Sequence, residues 1–328
     1  MCVASPPLTA VGNSTDMHPV ATLPLMRLVN DGTASDSQCV APEEAAIAFI
    51  VNGIHRGFAM STPADLEDLA VGVCLSQGLI RHASQVTDLV VHVSQSAIEL
   101  RMAVSSRANV RSLESACHGT GYRFCANEPA EVQPVPDWLA SSKFEVSPNM
   151  IKSAMEPVRR VQSSSVIAQR LHTAAMWRPN QGVIAVRQDL DCQHAFEKLI
   201  GTLARADVPT HDGLVAVTGG ASMETVLKAA QLGAPVLITS SMPTTLAVRT
   251  AEKWRTTLIV AASDGSLEVF SQADRVASSK AAAPVKTEEL APVTALPMRS
   301  KRARARLAVS ALTERTSLGH LHARSQAR

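Results

Sequence analysis

The chain is poor in aromatic residues: one tyrosine, three tryptophans and six phenylalanines among 328 residues. Proteins that grip single strands of nucleic acid use stacking platforms, and no such set accompanies the basic residues here. A formal net charge of +2 gives no whole-molecule attraction to polyanions either. No apolar run is long enough to cross a bilayer, and the first residues lack a basic stretch followed by an apolar one. These absences point to a cytoplasmic chain with neither a membrane nor a nucleic-acid role. The six cysteines (Cys2, Cys39, Cys74, Cys117, Cys125 and Cys192) follow no repeating frame, which argues against a secreted disulfide scaffold and for reduced thiols.

What is abundant is apolar and patterned. With 46% hydrophobic and 18% charged residues, the chain can bury a substantial core. From Gly213 to Ser271, short apolar runs alternate with amphipathic segments. The order strand, glycine turn, helix, strand, polar turn, helix, strand predicts an α/β fold with parallel strands, whose C-terminal loops are free to hold a ligand. Val183–Arg187 reads as one more strand of that parallel core, and Phe196, Leu199, Ile200 and Leu203 mark one face of a helix.

The N-terminal half reads as β-rich. Asn52-Gly53 separates two apolar strands and tolerates the positive φ angles of a tight hairpin. Ser61 and Thr62 offer hydroxyl caps, Pro63 suits a first helical turn, and a helix should run to about Gln77, closed by Gly78. Its stripe of Leu66, Leu69, Ala70, Val73 and Cys74 places Cys74 in the core. Residues 86–94 and 97–104 have strand composition around a turn at Gln95-Ser96. Residues 1–42 read as a disordered leader and 275–328 as a disordered basic tail with Lys301, Arg302, Arg304 and Arg306. The expected division is residues 43–162 for the β-rich part and 163–274 for the α/β domain, with a mobile cysteine loop near 105–136.

Three motifs carry a family resemblance. Thr62 to Ile80, TPADLEDLAVGVCLSQGLI, is similar to T-P-x-D-x-E-D-L-A-x-G-F-L-x-x-E-G-I-I of the formate dehydrogenase accessory proteins (FdhD). Gly213 to Leu237 resembles that family's G-L-V-L-S-G-R-A-S-x-E-M-V-x-K-A-A-x-x-G-I-P-V-L, and Ser241 to Glu252 its S-A-P-T-S-L-A-V-x-x-A-E. With Val183 to Gly201, the resemblance covers roughly residues 43 to 273. It implies a three-layer α/β/α, cytidine-deaminase-like C-terminal domain without zinc.

It also implies a function: a sulfur carrier that takes sulfur from a cysteine desulfurase and passes it to the molybdenum bis(molybdopterin guanine dinucleotide) cofactor before insertion into the formate dehydrogenase catalytic subunit. A homodimer is implied as well. The family's C-G-x-C-G corresponds to Cys117-His118-Gly119-Thr120-Gly121, so one thiol is kept and Thr120 replaces the other. T-G-G-x-H becomes Ala168 to His172, G-R-H-N becomes Asp191 to His194, and the arginine of S-G-R-A-S becomes Gly220. These departures leave a second reading open, a cofactor-binding chaperone that no longer transfers sulfur.

A carrier needs an accessible thiolate, and Cys117 sits among Arg107, Arg111, Arg123 and His118, any of which could favour its anion. Cys125 lies eight positions on, outside the spacing of a redox pair, and Cys117, His118 and Cys125 lack a fourth zinc ligand. Gly219, Gly220 and Ser222 lie between strand and helix, where backbone amides attract phosphate, although two glycines also simply turn a chain. By alignment, Ala261, Ala262, Ser263, Asp264, Gly265 and Ser266 form the segment that contacts cofactor in the family. Asp264 should repel a diphosphate there, and an Asp-Gly turn joining two strands explains the same residues structurally. His172 reads as either a packed histidine or a proton-transfer group.

Overall fold

The computed structural model of the chain describes residues 20–28, 30, 32–93, 97–105 and 142–277. Its first elements are β1 (Val20–Leu28) and β2 (Ala34–Pro42), an antiparallel ribbon around Gly32. This part of the expected leader is therefore strand. Its sequence shows no alternation of apolar and polar residues, the mark of a half-buried strand, and no residue of the ribbon is buried.

A four-stranded sheet follows, in the order β4-β3-β6-β5, from β3 (Ala45–Val51), β4 (Ile54–Ser61), β5 (Val86–Val93) and β6 (Ile98–Val104). Ile47, Phe49 and Val51 alternate inward along β3, as strand periodicity requires. Asn52 and Gly53 both adopt positive φ in the β3–β4 turn. The Asn52 side chain also grips β6, donating to the Val104 carbonyl at 3.1 Å and accepting from its amide at 2.8 Å.

Helix α1 (Leu66–Ser76) covers one face of this sheet, with Leu69, Ala70, Val73 and Cys74 buried. It starts later than the sequence predicts. Asp65, at φ 53°, stands before its first turn, and the hydroxyls of Ser61 and Thr62 bind elsewhere. Gly78 closes the far end at φ 68°.

The second sheet has six strands in the order β12-β11-β10-β9-β7-β8. They are β7 (His172–Arg178), β8 (Gly182–Asp189), β9 (Leu214–Gly220), β10 (Val236–Ser241), β11 (Thr257–Ala261) and β12 (Leu267–Val269). Only β9, β10 and β11 are mutually parallel neighbours; β7 pairs antiparallel with both β8 and β9, and β12 antiparallel with β11. The Val183–Arg187 strand thus joins the core through an antiparallel hairpin and not as a neighbour in the parallel ladder.

Helices α3 (Cys192–Arg205), α4 (Met223–Leu232) and α5 (Thr245–Lys253) cover one face, burying Phe196, Leu199 and Val226 against Met176, Val215 and Leu237. Helix α2 (Pro148–Ser163) covers the other, setting Ile151, Met155 and Val158 against Leu214, Val236 and Ile259. The fold is α/β with three layers. Burial of those three large side chains of α2 contributes about 1.5–3 kcal/mol each, which outweighs the ~3 kcal/mol that an interior proline such as Pro157 costs. Helix α2, Phe144 and Val146, which lie within the 43–162 segment, pack on the six-stranded sheet.

The two parts are joined where α1 crosses α3. A Cβ on Gly72 would lie 1.8 Å from the carbonyl oxygen of Glu197, and one on Gly201 would lie 1.9 Å from that of Asp68. Only glycine at both places permits this approach. Asp68, buried at the crossing, accepts from Arg187 (2.8 Å), Arg205 (2.5 Å) and Thr202 (2.7 Å).

Candidate functional site

One end of the six-stranded sheet gathers most of the chemistry. The C-terminal ends of β9, β10 and β11 meet there, and the reversed strand β7 brings its first residue, His172, to the same end. His172 pairs in register with Asp189, the last residue of β8, so the β8–α3 turn arrives too. Four turns (189–192, 219–222, 241–244 and 262–266) thus line one edge.

Each turn is shaped by its own polar contacts. Ser222 caps α4 by accepting from the Thr225 amide at 3.2 Å, Thr244 caps α5 through Ala247 at 3.1 Å, and Asp191 caps α3 through Gln193 at 2.7 Å. Three helix N-termini with their positive dipole ends therefore open toward this edge. The Ser240 hydroxyl accepts from the Gly219 amide at 2.9 Å, and Thr244 donates its amide to Ala221 at 3.0 Å, tying the second and third turns together.

Gly219 stands at φ 92°, with the His172 ring 3.8 Å from where its Cβ would sit. A Cβ on Gly220 would lie 2.5 Å from the Met242 carbonyl oxygen. This backbone therefore has no room for the arginine that the resembling family carries at that position. His172 is half-buried, its Nδ1 3.3 Å from the Thr218 hydroxyl, which also accepts from the Thr173 amide at 2.8 Å.

Ala261 to Ser266 form the tight turn of the β11–β12 hairpin, with Gly265 at φ 87°. The Asp264 carboxylate accepts from the Ser266 amide (2.8 Å) and hydroxyl (2.7 Å), and these bonds hold it below the usual carboxylate range. Its charge is engaged within the turn, which is a structural use of the residue in addition to the expected repulsion. Arg159 of α2 reaches the Ala262 carbonyl at 3.4 Å and brings a guanidinium to the same edge.

Beneath the edge lies a buried polar knot that the sequence does not announce. Asp189 Oδ2 accepts from Ser61 Oγ (2.5 Å), from the Thr62 amide (3.2 Å) and from the Thr62 hydroxyl (3.1 Å). Lys198 pairs with the same carboxylate at 2.6 Å and donates to Thr62 Oγ1 at 2.7 Å. Burial pulls the Lys198 ammonium below the ordinary lysine range, and Asp189 only partly offsets this. Glu197, next to Lys198 in α3, and Glu224 of α4 flank Lys228 of α4 at 3.0 and 2.8 Å. Burial acts to lower that lysine, but the two carboxylates prevail and raise it.

Cys192, at the first position of α3, is a half-buried thiol at this edge. Burial, with Asp191 beside it, raises its pKa, so it is held mainly as a neutral thiol. Cys74 is buried as the sequence predicts, 3.5 Å from the Met102 sulfur, and burial pushes its thiol up to about 12. Cys117, His118, Thr120, Cys125 and the three neighbouring arginines lie outside the described residues. Among the described residues, no group of three or more His, Cys, Asp or Glu side chains is placed to hold a metal ion.

The structure brings together His172, Gly219, Gly220, Ser222 and Ala261 to Ser266 at one end. Thr218 and Ser240, in the turns that the sequence marks between strand and helix, join them, and the structure adds Arg159 and Cys192, which sequence reading missed. The donor chemistry there (helix N-termini, a glycine without a Cβ and a guanidinium) fits the diphosphate of a guanine dinucleotide. A separate cavity of about 1340 Å³ lies between α1, α3 and β5, lined by Leu75, Ser76, Ile80, Leu89, Leu203 and Arg205 among others; it includes none of these residues.

Comparison with known proteins converges on one family. The FdhD/NarQ family model matches residues 42–277. A sulfur carrier protein FdhD of Agrobacterium fabrum is 34% identical over 254 residues, covering 76% of this chain and 93% of that protein. Those of Xanthomonas euvesicatoria pv. vesicatoria (33% identical; 80% and 95% covered) and Cupriavidus necator (34% identical; 71% and 82% covered) are similar to the same extent. A crystal structure of a formate dehydrogenase accessory protein from Desulfotalea psychrophila has the same fold, with a TM-score of 0.60 at 20% identity over 79% of this chain and 100% of that one.

Proposed function

Because the chain belongs to the FdhD/NarQ family, we propose that it is a sulfur carrier serving formate dehydrogenase, with Cys117 as the sulfur-bearing residue. The observation that carries this reading is the extended likeness to relatives named as sulfur carriers, across both parts of the fold. In the finer form of the proposal, a cysteine desulfurase supplies the sulfur. The Cys117 thiolate attacks the terminal sulfur of the donor's persulfide, the donor leaves as a thiolate, and Cys117 carries the sulfane sulfur away.

The recipient in this reading would be molybdenum bis(molybdopterin guanine dinucleotide). This chain's part is to bind and orient. The N-termini of α4 and α5 and the Gly219 turn would receive a diphosphate, His172 and Ser240 would direct hydrogen bonds to it, and Arg159 would balance its charge. The Asp189–Lys198 knot fixes Ser61 and Thr62 against the same edge, so the β-rich part is held in a defined place beside the ligand. Delivery to the formate dehydrogenase catalytic subunit, a homodimeric assembly and a cytoplasmic setting complete the proposal. No helix among the described residues is long and apolar enough to cross a membrane.

A second reading draws on Thr120, which stands where the family has its other loop cysteine. In it the protein binds cofactor as a chaperone without passing sulfur. Replacing Cys117 by Ala in a strain that depends on this protein separates the two. Loss of formate dehydrogenase activity supports the carrier, and full activity supports the chaperone and refutes the carrier.

A further inference from the structure

The Thr218 hydroxyl is almost fully buried and has one proton to donate. It accepts from the Thr173 amide at 2.8 Å, and its other neighbour is His172 Nδ1 at 3.3 Å. If Nδ1 carried the imidazole proton, the Thr218 oxygen would accept twice and its own proton would have no acceptor among the described residues. A buried donor left unsatisfied is costly, whereas a hydroxyl that accepts from Thr173 and donates to Nδ1 satisfies both groups. The neutral ring then carries its proton on Nε2.

We infer that Thr218 is a positioning residue that holds His172 as the Nε2–H tautomer, so that the ring donates a hydrogen bond to an acceptor oxygen of a nucleotide diphosphate at the sheet's end. This deepens the reading of that edge as a ligand site and rests on it. It also changes the part expected of His172. With Nδ1 engaged by Thr218 and Nε2 protonated, the neutral ring presents a donor, and it is not poised to take a proton from a thiol.

The test uses the full chain with ¹⁵N-labelled histidine, observed by long-range ¹H–¹⁵N NMR above the imidazole titration, with His172→Gln assigning the signal. The Nε2–H tautomer should dominate by about tenfold or more. Thr218→Ser should preserve it, and Thr218→Val should let the Nδ1–H form rise. A dominant Nδ1–H form in the parent protein, or an unchanged pattern in Thr218→Val, overturns the assignment.

Guanosine diphosphate, titrated by calorimetry, reads the ligand side. His172→Gln, which keeps a donor but not a base, should bind within a few-fold of the parent, and His172→Ala about tenfold more weakly. Equal loss in both variants, or loss in neither, overturns the donor role. The tautomer and nucleotide readings do not depend on sulfur at Cys117, so failure of the carrier proposal would be seen separately.

Discussion

Gly72 and Glu197 meet backbone to backbone where α1 crosses α3, with 1.8 Å between the Glu197 carbonyl oxygen and the place a Cβ on Gly72 would occupy. Gly201 and Asp68 repeat the contact from the other helix at 1.9 Å. Neither obstacle is a flexible side chain that can swing aside, so adding one methyl must part the helices. Gly72→Ala and Gly201→Ala should each destabilise the protein by at least about 3 kcal/mol, the upper range for overpacking. Urea denaturation checks this: the midpoint should fall for both variants, and an unchanged midpoint would mean that the crossing is looser than described.

Lys198 fixes the β4–α1 segment to the edge of the six-stranded sheet through Asp189 and Thr62. Lys198→Met leaves the Asp189 carboxylate buried with hydroxyl and amide donors but no cation. Breaking a buried pair in this way costs about 3–5 kcal/mol. Replacing both residues, as Lys198→Met with Asp189→Asn, should recover part of that loss in thermal denaturation. Strict additivity of the two single losses would argue against their coupling.

Arg178 clamps Asp212 with two nitrogens, one at 2.8 Å, just before β9. Hydrogen bonding from Arg178 holds the Asp212 carboxyl below its ordinary 3.8. A carboxylate depressed in the folded state stabilises above its unfolded pKa and loses that contribution as the pH falls through the folded value. Asp212→Asn should therefore be less stable than the parent near neutrality, and the difference should close in the acid range below about pH 4. Because Asp212 is partly exposed, the gap should be modest and should narrow in high salt. A constant gap at every pH would show that the contact acts through packing alone.

Cys74 has no route to solvent, and its thiol is pushed up to about 12 by burial. Iodoacetamide at neutral pH should leave it unmodified in the native protein and modify it after denaturation. Cys192, half-buried with a raised pKa, should react slowly in the native state. Rapid native labelling of Cys74 would contradict the packing of α1 on its sheet.

The parallel units from β9 to β11 were legible because each strand is buried on both faces and reads as a continuous apolar run, with Gly233 and Thr244 marking helix ends. The Asn52-Gly53 hairpin and the core place of Cys74 were legible for similarly local reasons. Helix α2 was not read, although Ser147 caps it and Ile151, Ala154, Met155 and Val158 keep helical spacing; the interior Pro157 is the signal that speaks against a helix there. Strand β7 was not either: its antiparallel insertion between β8 and β9 is a fact of topology that no local period records.

That insertion also decides the site. It carries His172 to the same end as Gly219, and its neighbour β8 carries Asp189 there, so residues far apart in sequence become one edge. Ser61 and Thr62 look like helix caps because serine and threonine usually are. Their long-range partner Asp189 outcompetes that local role by offering a buried carboxylate.

The central claim, that Cys117 bears the sulfur in transit, is tested most directly by mass spectrometry. The full chain would be incubated with a cysteine desulfurase and cysteine, and its peptides read without reductant. A mass increase of about 32 daltons on the peptide containing Cys117, removed by thiol treatment, is the predicted result. Absence of that adduct while formate dehydrogenase still matures, or its appearance on Cys125 or Cys192 instead, would contradict it.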